Sequence, residues 1–426
     1  MNATTLKAAS APAAAINVRS LEESNVTIGQ KTIWVYLAVA FLLGVFRQWT
    51  IWLVGALPIG EILLMGVAAH SGIWVLLTRR LPVRPPSPRL LTFFLVCQAI
   101  AFCAYVVSDF WWQSSTNDII RGWLRMGFLL MDIWTLALLF GASPHTFLAY
   151  QIGSCFSGLQ ALVMRPLFGD YWKFGFGFPV TVAVIMLSSR SFGWWGAVGS
   201  CFGMGLVHTA LGFRSFGALC VLTGGLLLVR VLSPVTRKVA LIVGIIGGLV
   251  IFPAFSAKLG ESTEGKSNRS NIERLSMLQA AREAFIEHPL VGNGSWFSKS
   301  DVMPNFLLIR AERAMITGGS TSFNNEEAGG TAIHSQILVA LAEGGFFGGL
   351  FFIVYGIGAA WAMWYCLTDA PWDWLMPLKI FLLEAALWDL FMSPFSGPVR
   401  INIAMIVAMI LVFVAQARSR STERYA

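Results

Sequence analysis

The 426 residues of this chain are 56% hydrophobic and 12% charged, with a mean hydropathy of +0.68, which excludes an ordinary soluble domain. The net charge of +8 does not indicate nucleic-acid binding, because the basic residues are dispersed among predicted helix ends and one loop rather than gathered in a stripe. Apolar stretches of about 20 residues recur, each long enough to cross a bilayer. The composition predicts an all-α polytopic membrane protein surrounded by lipid.

Five segments are predicted in chain order. Residues 1–31 form a polar cytoplasmic tail, because no continuous apolar run precedes a cleavage site. Residues 32–256 hold nine membrane spans, and 257–332 form a large folded loop on the outer side. Residues 333–417 form a re-entry helix and three further spans, and 418–426 a second cytoplasmic tail.

The sequence therefore predicts about twelve transmembrane helices. Their predicted ranges are 33–46, 51–78, 90–107, 120–140, 146–163, 174–188, 192–211, 216–232, 239–255, 346–367, 375–392 and 401–414. Basic residues cluster at 79–89, 230–238 and 418–424 and in the N-terminal tail. An even number of spans puts all four groups in the cytoplasm, as the positive-inside rule expects.

Helix signals indicate that the loop is folded. Ser270 and Asn271 are predicted to cap a helix, which ends at His288-Pro289. Its predicted buried face repeats at helical spacing: Leu275, Leu278, Ala281 and Phe285. A second short helix is predicted around 306–315. A third is predicted to start near Ile333 and to break at Gly344-Gly345.

Basic residues near the predicted outer ends of the helices run against the positive-inside trend. They are Arg47, Arg121, Arg125, Arg165, Lys173, Arg214, Arg274, Arg282 and Arg400. Guanidinium groups bind phosphate in a fixed geometry and keep their charge, so the group favours a diphosphate ligand. For any single arginine, pairing with an acidic residue or a lipid headgroup remains an alternative. The diphosphate-binding candidates beyond Arg214 and Arg274 are Arg121, Arg125, Arg165, Arg282 and Arg400.

His334 lies where the polar loop re-enters the membrane, and a neutral imidazole can accept a proton from a sugar hydroxyl. Asp389 precedes an outer turn and is a possible orienting group, with ion pairing inside the bundle as the alternative. The loop has no Asp-x-Asp pair and no His/carboxylate spacing typical of a metal site. The six cysteines lie in apolar segments without ligand spacing. We expect neither a metal nor another cofactor.

Three segments resemble the O-antigen ligase and polymerase superfamily. Arg274-Leu275 through Ala280-Ala281, followed by His288-Pro289-Leu290-Val291-Gly292-Asn293-Gly294, is similar to its "R…A…HPLxGxG" signature. Residues 332–348, with His334 and Glu343, are similar to its "aHN…l.E.G..G" element, and 213–215 match its arginine element. This chain departs from the pattern at Ser335, where Asn is usual, and at Phe213, where a small residue is usual.

The resemblance implies a C-type glycosyltransferase fold without metal, acting on a glycan linked to undecaprenyl diphosphate. Arg214 and Arg274 would hold the diphosphate, and His334 would activate or position the acceptor hydroxyl. The expected function is an O-antigen ligase with lipid A–core as acceptor, in the bacterial inner membrane with its site facing the periplasm. An O-antigen polymerase or a protein O-oligosaccharyltransferase is the alternative within the superfamily. A transporter or flippase is a more distant one, although no internal repeat favours it.

Overall fold

A computed structural model describes residues 30–52, 56–163, 170–261, 266–296, 333–395 and 397–425. Apart from one small hairpin, the described elements are helical. The helices are α1 (Gln30–Val45), α2 (Ile59–Thr78), α3 (Pro88–Trp112), α4 (Thr116–Ala142), α5 (Pro144–Phe156), α6 (Gln160–Val163), α7 (Gly177–Ala210), α8 (Arg214–Val231), α9 (Pro234–Glu261), α10 (Lys266–Glu287), α11 (Gln336–Thr368), α12 (Met376–Met392) and α13 (Gly397–Tyr425).

Six of the described helices are long and apolar enough to cross a membrane: α2, α3, α4, α8, α11 and the Gly397–Thr422 part of α13. The expectation of an all-α, multi-pass membrane protein is confirmed at this level. Six is fewer than the twelve predicted spans, and it counts only helices within the described residues. The finer topology therefore remains a prediction.

The chain reverses direction inside α7. Gly193, with φ 61° and ψ −142°, leaves the helical conformation. Thr181 Oγ1 lies 2.7 Å from Nε2 of His208, although the two residues are 27 positions apart. A straight helix would separate them by about 40 Å. The two halves of α7 therefore lie side by side, in agreement with the two separate apolar ranges predicted here, 174–188 and 192–211, although the break at Gly193 falls just inside the second.

A second break occurs in α11 at Gly345, where φ is 64° and ψ is −162°. A Cβ on Gly348 would lie 2.6 Å from the carbonyl oxygen of Ala340, so the segment before the break folds against the segment after it. The predicted break at Gly344-Gly345 is confirmed. The predicted start near Ile333 is not, because the helix begins at Gln336 with Ser335 as its N-cap, which accepts from Leu338 N at 3.3 Å.

The segment before α2 differs from the prediction. The predicted span 51–78 begins as an antiparallel hairpin, in which β1 (Thr50–Trp52) pairs with β2 (Ala56–Pro58) and Thr50 lies opposite Pro58. Helix α2 starts only at Ile59. Proline has no N–H and a fixed φ, so Pro58 suits the residue just ahead of the helix and not its interior.

Helix α10 begins at Lys266 instead of at a cap at 270–271, and it ends before His288-Pro289 as predicted. Of its predicted buried face, Ala281 is buried, Leu278 and Phe285 are only half-buried, and the side chain of Leu275 lies outside the description. Met277, Ala280, Ala281 and Ala284 pack against Ile333, Val339 and Ala342 around the start of α11. Small residues on this face let the two helices approach closely. The predicted helix at 306–315 lies outside the described residues.

Basic residues gather at the C-terminal end of α11. Arg230 donates to the carbonyl oxygens of Cys366 and Ala370 at 2.6 and 2.5 Å. Arg237 donates to the carbonyls of residues 367 and 368 at 3.2 and 3.1 Å. Arg420 donates to the Asp369 carbonyl at 3.0 Å. Cations at a helix C-terminus interact favourably with its exposed carbonyls. Two of the basic clusters predicted for one side of the membrane thus meet at one end of one helix.

Candidate functional site

Residues 288–296, termed the motif loop, need left-handed backbone conformations. Gly292, Gly294 and Trp296 have φ values of 76°, 82° and 58°. A Cβ on Gly292 would lie 2.4 Å from the carbonyl oxygen of Glu343. Glycine is therefore required at Gly292 both for its conformation and for this close approach.

The break in α11 leaves backbone groups of the helix without their usual helical partners, and the motif loop provides hydrogen bonds to these groups instead. Asn293 N donates to the Ala342 carbonyl at 2.9 Å, and Gly294 N donates to the Glu343 carbonyl at 3.0 Å. Phe346 N, which would donate to Ala342 in an unbroken helix, donates to Pro289 at 2.7 Å. Since buried backbone groups need partners, the loop and the break stabilise each other. The two segments that carry the family resemblance are thus joined in space.

A buried ion pair between Arg125 and Glu343 lies beneath this junction. Tyr105 donates to Glu343 Oε2 at 2.7 Å, and Trp296 N donates to Oε1 at 3.0 Å. The Arg125 guanidinium lies 5.7, 5.1 and 5.2 Å from the ring centroids of Tyr105, Trp296 and Phe395. Arg125 was predicted as a diphosphate ligand, but its charge is compensated within the protein. Arg125 is therefore not among the residues proposed to bind the diphosphate.

Arg400 has the same kind of partner. Its Nη2 and Nε lie 2.5 and 2.8 Å from Glu61 Oε1, and both side chains are buried. A buried guanidinium with a carboxylate partner has little attraction left for a phosphate. For this reason Arg400, like Arg125, is not proposed to bind the diphosphate.

A second anchor for the motif loop is Asp109, at the end of α3. Its carboxylate accepts from Ser295 N at 2.6 Å, from Ser295 Oγ at 2.8 Å and from Trp123 Nε1 at 2.9 Å. Trp112 Nε1 donates to the Gly292 carbonyl at 2.7 Å. Neither Asp109 nor Tyr105 was predicted as a partner of the loop. Their spacing of four residues on one face of α3 was the available signal.

His334 is half-buried just ahead of α11. Burial is the largest cause that lowers its pKa, and together with the positive charges of Arg274 and Lys173 it brings the pKa to about 4. The imidazole is therefore neutral at pH 7 and has a lone pair for a proton. Arg274 and Lys173 each act electrostatically on His334, and His334 and Arg274 are both predicted catalytic residues.

The packing of α10 explains the position of Arg274. Met277, one turn after Arg274, belongs to the buried cluster that includes Ile333, the neighbour of His334. Lys173 comes from another part of the chain, a π-helical turn at Trp172–Phe176 that leads into α7. Such turns are uncommon and frequently occur at functional sites.

Arg214 is the exposed first residue of α8. The ring of Phe213 before it stacks on Phe216 at 4.8 Å and lies 5.5 Å from the ring of His208. His208 Nδ1 accepts from Trp172 Nε1 at 2.9 Å, and Trp172 adjoins Lys173. Arg214 and Lys173 thus each follow directly, in the chain, a residue of one aromatic cluster. This cluster consists of Trp172, His208, Phe213 and Phe216. His208 itself is a structural histidine, because both of its ring nitrogens have hydrogen-bond partners.

Asp389 accepts from Ser393 Oγ at 2.6 Å and acts electrostatically on Arg47. Arg47 is buried with its guanidinium 3.9 Å above the Phe178 ring, and its Nε and Nη1 have no hydrogen-bond partner among the described residues. Helix α12 borders the histidine segment through Ser335 Oγ, which donates to the Leu390 carbonyl at 3.3 Å. The hydrogen bond of Asp389 goes to Ser393, so its predicted role in orienting a catalytic group remains a prediction.

The remaining candidates lie apart from these contacts or outside the described residues. Arg121 is exposed on the first turns of α4, and Arg282 is exposed on α10. Arg165 falls outside the described residues. Within the described ranges, no three His, Cys, Asp or Glu side chains are grouped as a metal site would require. No protein-family model and no curated protein matches this chain.

Proposed function

We propose that this protein transfers a glycan from undecaprenyl diphosphate to an acceptor hydroxyl, as an O-antigen ligase with lipid A–core as the acceptor. The observation that supports this best is a neutral, half-buried His334 with Arg274 as a charged neighbour. The pair offers a proton acceptor ahead of the start of α11 and a permanent cation on α10.

The chemistry requires both groups. The acceptor oxygen attacks the anomeric carbon of the donor sugar, and the bond from that carbon to the diphosphate oxygen breaks. The hydroxyl proton passes to the free nitrogen of His334. The diphosphate leaves with one more negative charge, which Arg274 and Arg214 stabilise through charge-assisted hydrogen bonds.

We further propose about twelve spans, with the site facing the periplasm of a bacterial inner membrane. The reversal at Gly193 supports counting α7 as two spans. Arg230, Arg237 and Arg420 gather at the end of α11 away from His334, which supports a cytoplasmic location for that end. On this arrangement residues 257–332 form the periplasmic loop.

The proposed reaction needs no divalent cation, because arginine stabilises the leaving group. The cations near His334 would also repel a metal ion. Transfer should persist after extraction with EDTA, and abolition by EDTA with restoration by Mg²⁺ would contradict this part of the proposal.

An O-antigen polymerase and a protein O-oligosaccharyltransferase would use the same donor chemistry and differ in the acceptor. The test is to incubate the purified full-length protein in detergent with undecaprenyl-diphosphate glycan and, in separate reactions, lipid A–core, a second donor glycan and an acceptor protein. We expect a gel shift of lipid A–core alone. Product only in one of the other reactions would assign the alternative, and none in any would refute glycan transfer.

A further inference from the structure

Three arginines are buried in the part of the chain that the structure describes, and Arg47 differs from the other two. Arg125 and Arg400 form ion pairs with Glu343 and Glu61. Arg47 is only 6% exposed, yet it forms no ion pair with a described carboxylate, and its Nε and Nη1 have no hydrogen-bond partner among the described residues. Removing a charge from water is costly unless the charge is paired. The burial of Arg47 is therefore costly without a bound partner.

The position of Arg47 is set by close packing. A Cβ on Gly44, in the last turn of α1, would lie 2.2 Å from the carbonyl oxygen of Tyr150, so α1 touches α5 without room for a side chain. Arg47 N donates to the Gly44 carbonyl at 3.3 Å, which holds the arginine next to this contact. Its guanidinium lies 3.9 Å from the centroid of the Phe178 ring. A guanidinium that contacts a ring through its face keeps its N–H groups, which lie in the guanidinium plane, available for an acceptor.

Unpaired hydrogen-bond donors predominate around Arg47. Besides its own Nε and Nη1, Trp49 Nε1 in the turn after α1 and the Tyr150 hydroxyl are buried without a partner among the described residues. Gln48 Oε1 is the one acceptor of this turn in the same state within the described chain. Asp389 acts electrostatically on Arg47, but its carboxylate accepts a hydrogen bond from the C-cap residue of α12. An excess of unpaired donors together with a positive charge favours an anion with several acceptor oxygens.

The ring beneath Arg47 continues into the aromatic cluster. The Phe178 ring lies 6.0 Å from the ring of Phe216, which belongs to the cluster. Phe213, also of the cluster, directly precedes Arg214, which is proposed to bind the diphosphate. All three phenylalanine side chains are half-buried. Arg47 and Arg214 therefore border one row of rings, with a buried guanidinium at its inner end and an exposed arginine at its outer end.

We propose that Arg47 is a further anion-binding residue of the donor site, and that it holds one phosphate of the polyprenyl diphosphate. The identity of the anion rests on the proposed function. Guanidinium N–H groups form strong, directional hydrogen bonds to phosphate oxygens. A phosphate would supply the partner that the described chain does not give to Arg47, and a buried charge that costs stability is typical of a functional group.

The test is calorimetric titration of the purified full-length protein in detergent with inorganic pyrophosphate, together with thermal unfolding of the ligand-free protein. Arg47→Met should bind pyrophosphate roughly 10–100-fold more weakly, the range for loss of charge-assisted hydrogen bonds. Its ligand-free unfolding temperature should equal or exceed that of the wild type, because an unpaired buried charge is removed. Arg190→Met is the matched control, because the Arg190 guanidinium also lies over a ring, 5.5 Å from the Trp374 centroid, but is exposed. This variant should bind like the wild type.

Three results would overturn the inference: no binding of pyrophosphate by the wild type, wild-type affinity in Arg47→Met, or an unfolding temperature of Arg47→Met lowered as in Arg400→Gln. The last would show that Arg47 is paired within the protein. Competition by added phosphatidylglycerol would assign Arg47 to a lipid headgroup and would also overturn the inference. Any of these results together with intact glycan transfer by the wild type would leave the proposed function standing. The expected binding without any glycan transfer would instead refute the function and keep the anion site.

Discussion

Arg125 of α4 and Glu343 of α11 form a buried ion pair directly below the motif loop. Glu343 also accepts from Tyr105 and from the backbone of Trp296, so one carboxylate joins two helices and the loop. Arg125→Gln should lower the free energy of unfolding by about 3–5 kcal/mol, because it leaves a carboxylate buried without its partner. Thermal unfolding in detergent measures this. Arg121→Gln, one turn away and exposed, should change it by less than about 0.5 kcal/mol, and equal effects would contradict the assignment.

Gly292→Ala should displace the motif loop. The new methyl group would meet the Glu343 carbonyl, 2.4 Å from the ideal Cβ position, and the backbone would also be strained at φ 76°. Gly212→Ala separates the two effects, since Gly212 has a φ of 79° but nothing within 4 Å of its Cβ position. We expect Gly212→Ala to cost about 1–2 kcal/mol of stability and to keep activity. Gly292→Ala should lose activity by a larger factor than its stability explains, and equal behaviour of the two variants would exclude a clash.

The rate should depend on pH through His334. Its pKa of about 4 in the free protein means that the base is available at all higher pH values, so kcat/KM should fall only as the pH drops through about 4. In Arg274→Gln one of the two neighbouring cations is gone, and the acid limb of kcat/KM should move up towards the ordinary histidine value of about 6.5. Profiles of kcat/KM against pH measure this. A limb that stays in place or moves to lower pH would contradict the electrostatic role of Arg274.

Substitution of Arg214 should mainly affect glycan transfer, whereas substitution of Arg400 should mainly affect stability. Arg214→Gln should lower transfer by roughly 10²–10³-fold, as expected for one donor to a developing charge, with little change in unfolding temperature because the side chain is exposed. Arg400→Gln should mainly lower the unfolding temperature, because it leaves Glu61 buried without its partner. Donor KM, kcat and unfolding temperature are measured for both variants. The reverse pattern would return Arg400 to the diphosphate site.

The proposed topology predicts opposite exposure of two positions. After Cys103→Ser removes the exposed native thiol, Glu287→Cys at the end of α10 should react with a membrane-impermeant maleimide in cells whose outer membrane is permeable. Ser419→Cys near the end of α13 should react only after the inner membrane is opened. Labelling in the reverse order would place His334 on the cytoplasmic side.

Composition was enough to predict the helical membrane fold, and glycine positions predicted the break in α11. Periodicity was less successful for α10, where the buried face follows Met277, Ala280 and Ala284 instead of Leu278 and Phe285. The contact with the start of α11 is made largely by the small residues Ala280, Ala281 and Ala284, which let the two segments approach closely. The hairpin before α2 was missed because its short apolar strands read as part of the following span.

For the site, the sequence predicted His334 and Arg274, and Arg274 and Lys173 both act electrostatically on His334. Sequence alone could not separate Arg125 and Arg400 from ligand-binding arginines, because their partners Glu343 and Glu61 lie 218 and 339 positions away. The charge of a side chain is visible in the sequence, but its compensation depends on the fold.

The measurement that tests the central claim most directly is glycan transfer by the purified protein, with undecaprenyl-diphosphate glycan and lipid A–core as substrates. We expect transfer by the wild type, a loss on the order of 10²–10⁴-fold in His334→Ala, and a loss of roughly 10²–10³-fold in Arg274→Gln. Wild-type rates in both variants, with unfolding temperatures unchanged, would contradict the account.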